Sequence, residues 1–316
     1  MPRLHLTIAA TAVTAILAAA VPAQAASTYR IEHPRVVAHL DAEAYQQPEN
    51  IALEPDGSAD VTFAFAGQVA RIDRAGRTTV LAQIPIPAGG DVPGLGTRIG
   101  IAGIVRTEDG TLYVTVSTGL ADSTGVYRIG PGRHDAVRIA ALPAGAFLNG
   151  MALDDREHRL LVTDSVLATI WSVPLTGGPA TAWLTADALA PHGSFGANGI
   201  KVHNGAVWAT NTHDATLLRI PITPGGRPGP IRVIATGLTS ADDLAFAGRG
   251  DTALIALERL NEIVSVAPNG RSTPLMNGQD GLANPTALAV RGDTVYVDDA
   301  AYFGGQPNLL TARLEH

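Results

Sequence analysis

The chain has 316 residues, a net charge of −7, a single lysine and no cysteine. With no basic patch, nucleic acid and anionic membranes are not expected partners. With no thiol, disulfide scaffolds, thiolate zinc sites and cysteine nucleophiles are excluded. The 34 glycines and 21 prolines, beside only 5% aromatics, suit many short strands joined by turns.

The N-terminus reads as a secretory signal. Arg3 gives a basic start, Leu6 to Val21 is apolar and alanine-rich, and Ala23-Gln24-Ala25 offers a cleavage site. Cleavage after Ala25 is expected, leaving residues 26–316 as one secreted domain. No later stretch approaches the roughly 20 apolar residues of a membrane span, so the cleaved chain is expected to be free of the membrane and monomeric.

Six segments then repeat one pattern, a small or polar turn running into a period-2 strand. They are Pro48–Leu53, Ile101–Arg106, Leu148–Leu153, Ala197–Val202, Ala241–Phe246 and Pro285–Val290. A turn and a second strand follow, as at Asp109-Gly110 before Leu112–Val114 and Asn204-Gly205 before Val207–Ala209. Third strands are visible at Val69–Ile72, Val126–Ile129, Ile170–Val173, Leu217–Ile220 and Ile263–Val266, and a fourth at Ala136–Ile139 and Ile231–Ile234. Taking positions 49, 102, 149, 198, 242 and 286 as equivalent gives steps of 53, 47, 49, 44 and 44 residues. Four strands per such step is a propeller blade. The expected fold is all-β, a six-bladed β-propeller with four-stranded blades. The last blade lacks a fourth strand of its own, and Val36–Leu40 is expected to supply it, closing the ring.

The equivalent positions converge on the channel mouth and read Glu49, Ala102, Asn149, Asn198, Asp242 and Thr286. Glu49, Asn149, Asn198 and Asp242 form an all-oxygen donor set of the kind that holds a hard divalent cation. Ca²⁺ is the first expectation, with Mn²⁺, Mg²⁺ or Zn²⁺ as alternatives. Taken singly, each of the four is ordinary turn chemistry; their equivalence around a ring is what points to a metal.

These motifs resemble the SMP-30/gluconolactonase/LRE-like family. Pro48-Glu49-Asn50, Leu148-Asn149-Gly150, Ala197-Asn198-Gly199 and Asp242-Asp243 stand where that family carries its metal ligands, although Asp243 replaces a glycine. The doublets Glu49-Asn50 and Asp242-Asp243 are also similar to the paraoxonase branch of calcium-dependent lactonases, whose catalytic-type histidine is not evident. The resemblance implies a six-bladed propeller with one divalent metal on Glu49, Asn149, Asn198 and Asp242. It also implies a lactonase or carboxylic ester hydrolase acting on a small molecule.

A cation there polarises a carbonyl and acidifies bound water. Asp242 is the first candidate for ligand and general base, and Asp243 the second catalytic candidate. Asn50, His192 in the loop before the fourth blade, and Asp299 at a strand end are candidates for substrate contact. Ser194 has no nucleophile context. Two other functions remain open, a non-catalytic ligand- or protein-binding propeller with a structural ion, and a metal-assisted lyase.

Overall fold

The structure, a computed structural model, describes residues 29–85, 87–96 and 100–315. The expected signal peptide lies outside the described residues, as does part of the loop before the second blade. Six four-stranded antiparallel sheets make six blades. The first strands of successive blades touch, and that of the sixth touches that of the first, so the sheets form a closed β-propeller.

The four strands of the first blade are β2 (Pro48–Leu53), β3 (Ala59–Phe63), β4 (Gln68–Ile72) and β5 (Thr78–Gln83). Inner strands are buried along their whole length, as in Leu112–Ser117, where every residue is buried and most are apolar. That is the composition of a strand covered on both faces. The core is correspondingly divided among the seams between blades. Val69 and Ala82 of the first blade pack on Ile104, Leu112 and Val114 of the second. Burying each valine, leucine or isoleucine among them contributes roughly 1.5–3 kcal/mol.

Ring closure follows the expected route. Strand β1 (Arg30–His39) pairs antiparallel with Asn308–Glu315, so that the N-terminal strand completes the C-terminal blade. No polypeptide edge is left open at the seam.

One expectation about local structure is corrected. The six equivalent positions do not lie in turns entering the strands but inside the first strands, each at a register break. Leu148 pairs with Asp164 and Met151 with Val162, so Asn149 and Gly150 together oppose Thr163. A bulge bends its strand and re-aims a side chain. Here it happens at the same level in every blade, which is how the ring residues come to face the channel.

The glycines beside them serve close packing. A Cβ on Gly103, Gly150 or Gly199 would lie 2.5–2.6 Å from the carbonyl oxygen of Asn149, Asn198 or Asp242 in the next blade. The Asn-Gly pairs are therefore contacts between blades, not hairpin turns. The residues opposite the bulges reinforce them. Thr62 Oγ1 donates to the Ala102 carbonyl at 2.6 Å, Thr115 to that of Asn149 at 3.1 Å, and Thr210 to that of Asp242 at 2.5 Å. Thr163 makes the equivalent bond to Asn198. Among the described residues no helix is long and apolar enough to cross a membrane.

Candidate functional site

At one mouth of the channel lies a pocket of about 480 Å³. Glu49, Asn149, Asn198 and Asp242 all line it, one from each of blades one, three, four and five.

The two amides are held in one orientation. The Ser165 hydroxyl donates to the Ala197 carbonyl at 2.7 Å, and the Thr212 hydroxyl to the Ala241 carbonyl at 2.8 Å. Each hydroxyl has then given its proton away and must accept from its asparagine. Asn149 Nδ2 donates to Ser165 at 3.3 Å, and Asn198 Nδ2 to Thr212 at 2.9 Å. The amide oxygens are thereby left as the free acceptors.

The carboxylates are strained electrostatically. Burial pushes Glu49 up to about 7, partly offset by the Tyr302 hydroxyl, which donates to its Oε2 at 2.6 Å. Asp242 is raised well above the ordinary aspartate range, first by burial and then by Glu49, Glu258 and Asp243 nearby. Such mutually repelling, desolvated oxygens are what a bound cation would relieve. Among the described residues no group of three or more His, Cys, Asp or Glu side chains is gathered closely enough to hold a metal. The donor set at issue has only two carboxylates, completed by two amide oxygens. Its chemistry fits a hard cation.

The remaining candidates stand apart from this pocket. Asp243 is buried, and both its carboxylate oxygens accept from Lys201 Nζ at 2.6 and 2.7 Å. Asn50 is buried and accepts from the Ile51 amide at 3.1 Å. Asp299 accepts from the Ala283 amide at 2.9 Å and is pushed up to about 7, chiefly by burial. His192 is exposed, its Nδ1 2.9 Å from Asp214 and its Nε2 3.2 Å from Asp187. Those two partners raise its pKa. None of the four lines the pocket.

The pocket instead gathers residues with no counterpart in the repeat. Glu258 enters from a short 3-10 helix, Glu258–Leu260, after the second strand of blade five. Burial pushes it up to about 7, partly offset by the charge of Arg259, and its carboxylate makes no hydrogen bond or direct ion pair among the described residues. His213 lines the wall and accepts the Ser194 amide at Nδ1, 3.2 Å away, which leaves the proton on Nε2. With Nδ1 so occupied, the Ser194 hydroxyl 3.4 Å away gains no base, and a serine nucleophile is not assembled. Tyr302 and four phenylalanines complete the wall. Glu258, Tyr302 and His213 all sit in connections between second and third strands, where the sequence offers no periodic signal.

No protein-family model and no curated protein matches the chain. Solved structures with the same architecture are numerous. The PQQ-bound aldose sugar dehydrogenase of Streptomyces coelicolor superposes with a TM-score of 0.65 at 16% identity, over 91% of this chain and 99% of that one. Virginiamycin B lyase of Staphylococcus aureus gives 0.58 at 15%, over 92% and 100%. A luciferin-regenerating enzyme gives 0.63 at 11%, over 89% and 95%. At these identities the likeness is one of fold. The class so defined is a six-bladed β-propeller with an oxygen-rich pocket at one channel mouth. Its structural neighbours include a sugar dehydrogenase and a lyase.

Proposed function

We propose that Glu49, Asn149, Asn198 and Asp242 hold one divalent cation, with Ca²⁺ preferred, and that the protein is a metal-dependent hydrolase of lactones or carboxylic esters. A secreted location accompanies this reading, as does kinship with the SMP-30/gluconolactonase type. The observation that carries it is the convergence of four oxygen donors from four blades, with both amide nitrogens tied back into the fold.

When bound, the cation supplies Lewis-acid polarisation of the scissile carbonyl and lowers the pKa of a water. The chain's own residues do the rest. Tyr302 fixes one oxygen of Glu49, so that carboxylate points one way. Glu258, unpaired and raised to about 7, accepts a proton from the attacking water at neutral pH. His213 presents an Nε2–H donor on the same wall.

The test is hydrolysis of a lactone panel with chelator and with Ca²⁺, Mn²⁺, Mg²⁺ or Zn²⁺ restored, beside Asp242→Ala. Activity should vanish with chelator, return with metal, and fall by on the order of 10²-fold or more in the variant. A folded protein that binds metal and turns over no ester would make it a binding propeller with a structural ion. Eliminated rather than ring-opened products would make it a lyase.

A further inference from the structure

The chain is poor in aromatic residues, yet four of its six phenylalanines, Phe65, Phe147, Phe195 and Phe303, line this one pocket. They are not scattered around it. Phe147 and Phe195 meet edge to face, centroids 5.1 Å apart, from the loops that enter blades three and four. Phe65 and Tyr302 meet at 5.7 Å from blades one and six. Both members of the first pair also lie against the entry to blade two, Phe195 at Gly94 and Phe147 at Gly100. Both aromatic pairs thus line the same mouth as the oxygen ring.

The rim beside one pair carries a cation. The Arg259 guanidinium lies 4.2 Å from the centre of the Phe303 ring, and Phe303 is 54% exposed. Arg259 lines the pocket, its charge opposes the rise in Glu258 beside it, and it makes no direct ion pair among the described residues. A guanidinium backed by an aromatic face, with its donors free, suits an anionic group on a flat ligand.

We propose that the occupant of this pocket carries a flat aromatic body, packed on the Phe147–Phe195 and Phe65–Tyr302 pairs that line it, and an anionic group read by Arg259. This rests on the hydrolase reading only in placing the ester over the oxygen ring; recognition of the body is independent of it. The substrate class is then an aryl-bearing ester or lactone with a carboxylate, in preference to a sugar lactone.

Two experiments separate the readings. Calorimetry compares binding of 3-phenylpropionate, phenylpropanol and gluconate to the metal-loaded protein. The aryl carboxylate should bind best, and Arg259→Gln should bring it to the level of the neutral alcohol. Phe195→Leu and Phe303→Ala should each weaken it roughly tenfold, with an unchanged far-ultraviolet spectrum. In turnover, Phe195→Leu and Phe65→Leu should raise KM for an aryl lactone while leaving kcat, and leave a small aliphatic lactone within about twofold. Gluconate binding as well as 3-phenylpropionate, or Phe variants indifferent to the ring, would overturn the proposal. Absence of any turnover with aryl binding intact would overturn the hydrolase reading and leave the proposal standing.

Discussion

Asp243 and its neighbour Asp242 are adjacent in sequence but differ sharply in circumstance. Asp242 faces the pocket, whereas Asp243 is buried against Lys201, the only lysine in the chain. Burial raises the Asp243 pKa and the lysine opposes it. Removing one partner of such a pair leaves an uncompensated charge in the interior. Lys201→Met should therefore cost about 3 kcal/mol or more of unfolding free energy, measured by urea denaturation. The double variant Lys201→Met with Asp243→Leu should recover most of it. A single variant as stable as the parent would show that the pair does not hold the channel. Residues such as these mark the limit of what the sequence discloses. The ring residues Glu49, Asn149, Asn198 and Asp242 are legible because they recur at one position of a repeat. Asn50 and Asp243 are next to ring positions, and adjacency on a strand turns a side chain to the other face, while Asp299 ends a second strand away from the ring. Glu258, Tyr302 and His213 come from loops that share no pattern, so only the folded ring brings them to the pocket.

At the scale of strands, the repeat is legible because every blade must solve the same packing problem. What the sequence hides is the bulge. An Asn-Gly pair reads as a turn because its usual use is in turns, yet here glycine is required by the carbonyl of the neighbouring blade 2.6 Å from its would-be Cβ. The closing strand was readable by subtraction, since the last blade was one strand short. It also makes the seam testable. Arg35 and Thr311 are directly paired on β1 and its partner strand, with Arg35 exposed. Because the chain has no cysteine, Arg35→Cys with Thr311→Cys introduces one unambiguous crosslink. It closes almost the whole chain into a loop, and disulfides typically contribute about 2–4 kcal/mol of stabilisation. If the ring opens at this seam when it unfolds, the oxidised variant should melt several degrees above the reduced one. Equal melting temperatures would mean that another seam yields first.

The whole molecule is governed by the carboxylates gathered at its axis. Glu49 and Glu258 are each pushed from 4.5 up to about 7, chiefly by burial, and Asp242 is raised well above its ordinary value. For a carboxyl whose folded pKa exceeds its unfolded one, the folded chain binds more protons between the two values. Stability then falls as pH rises through that window. The metal-free protein should accordingly lose stability between about pH 5 and pH 8, as these groups are forced to ionise inside the ring. Surface acids such as Asp73 and Asp109 have lowered pKa values and act in the opposite sense, but only at lower pH, where they take up protons. A divalent cation on the ring reverses the situation, because it binds the ionised form and must displace protons to do so. Its stabilisation, RT ln(1 + [L]/Kd), is about 2.7 kcal/mol at a hundredfold excess over Kd. The rise in melting temperature on adding Ca²⁺ should therefore be small near pH 5 and grow steadily toward pH 8. In Asp242→Asn the gain should shrink at every pH. A calcium effect independent of pH, or unchanged in that variant, would place the ion away from the channel mouth and remove the electrostatic reason for four oxygens meeting there.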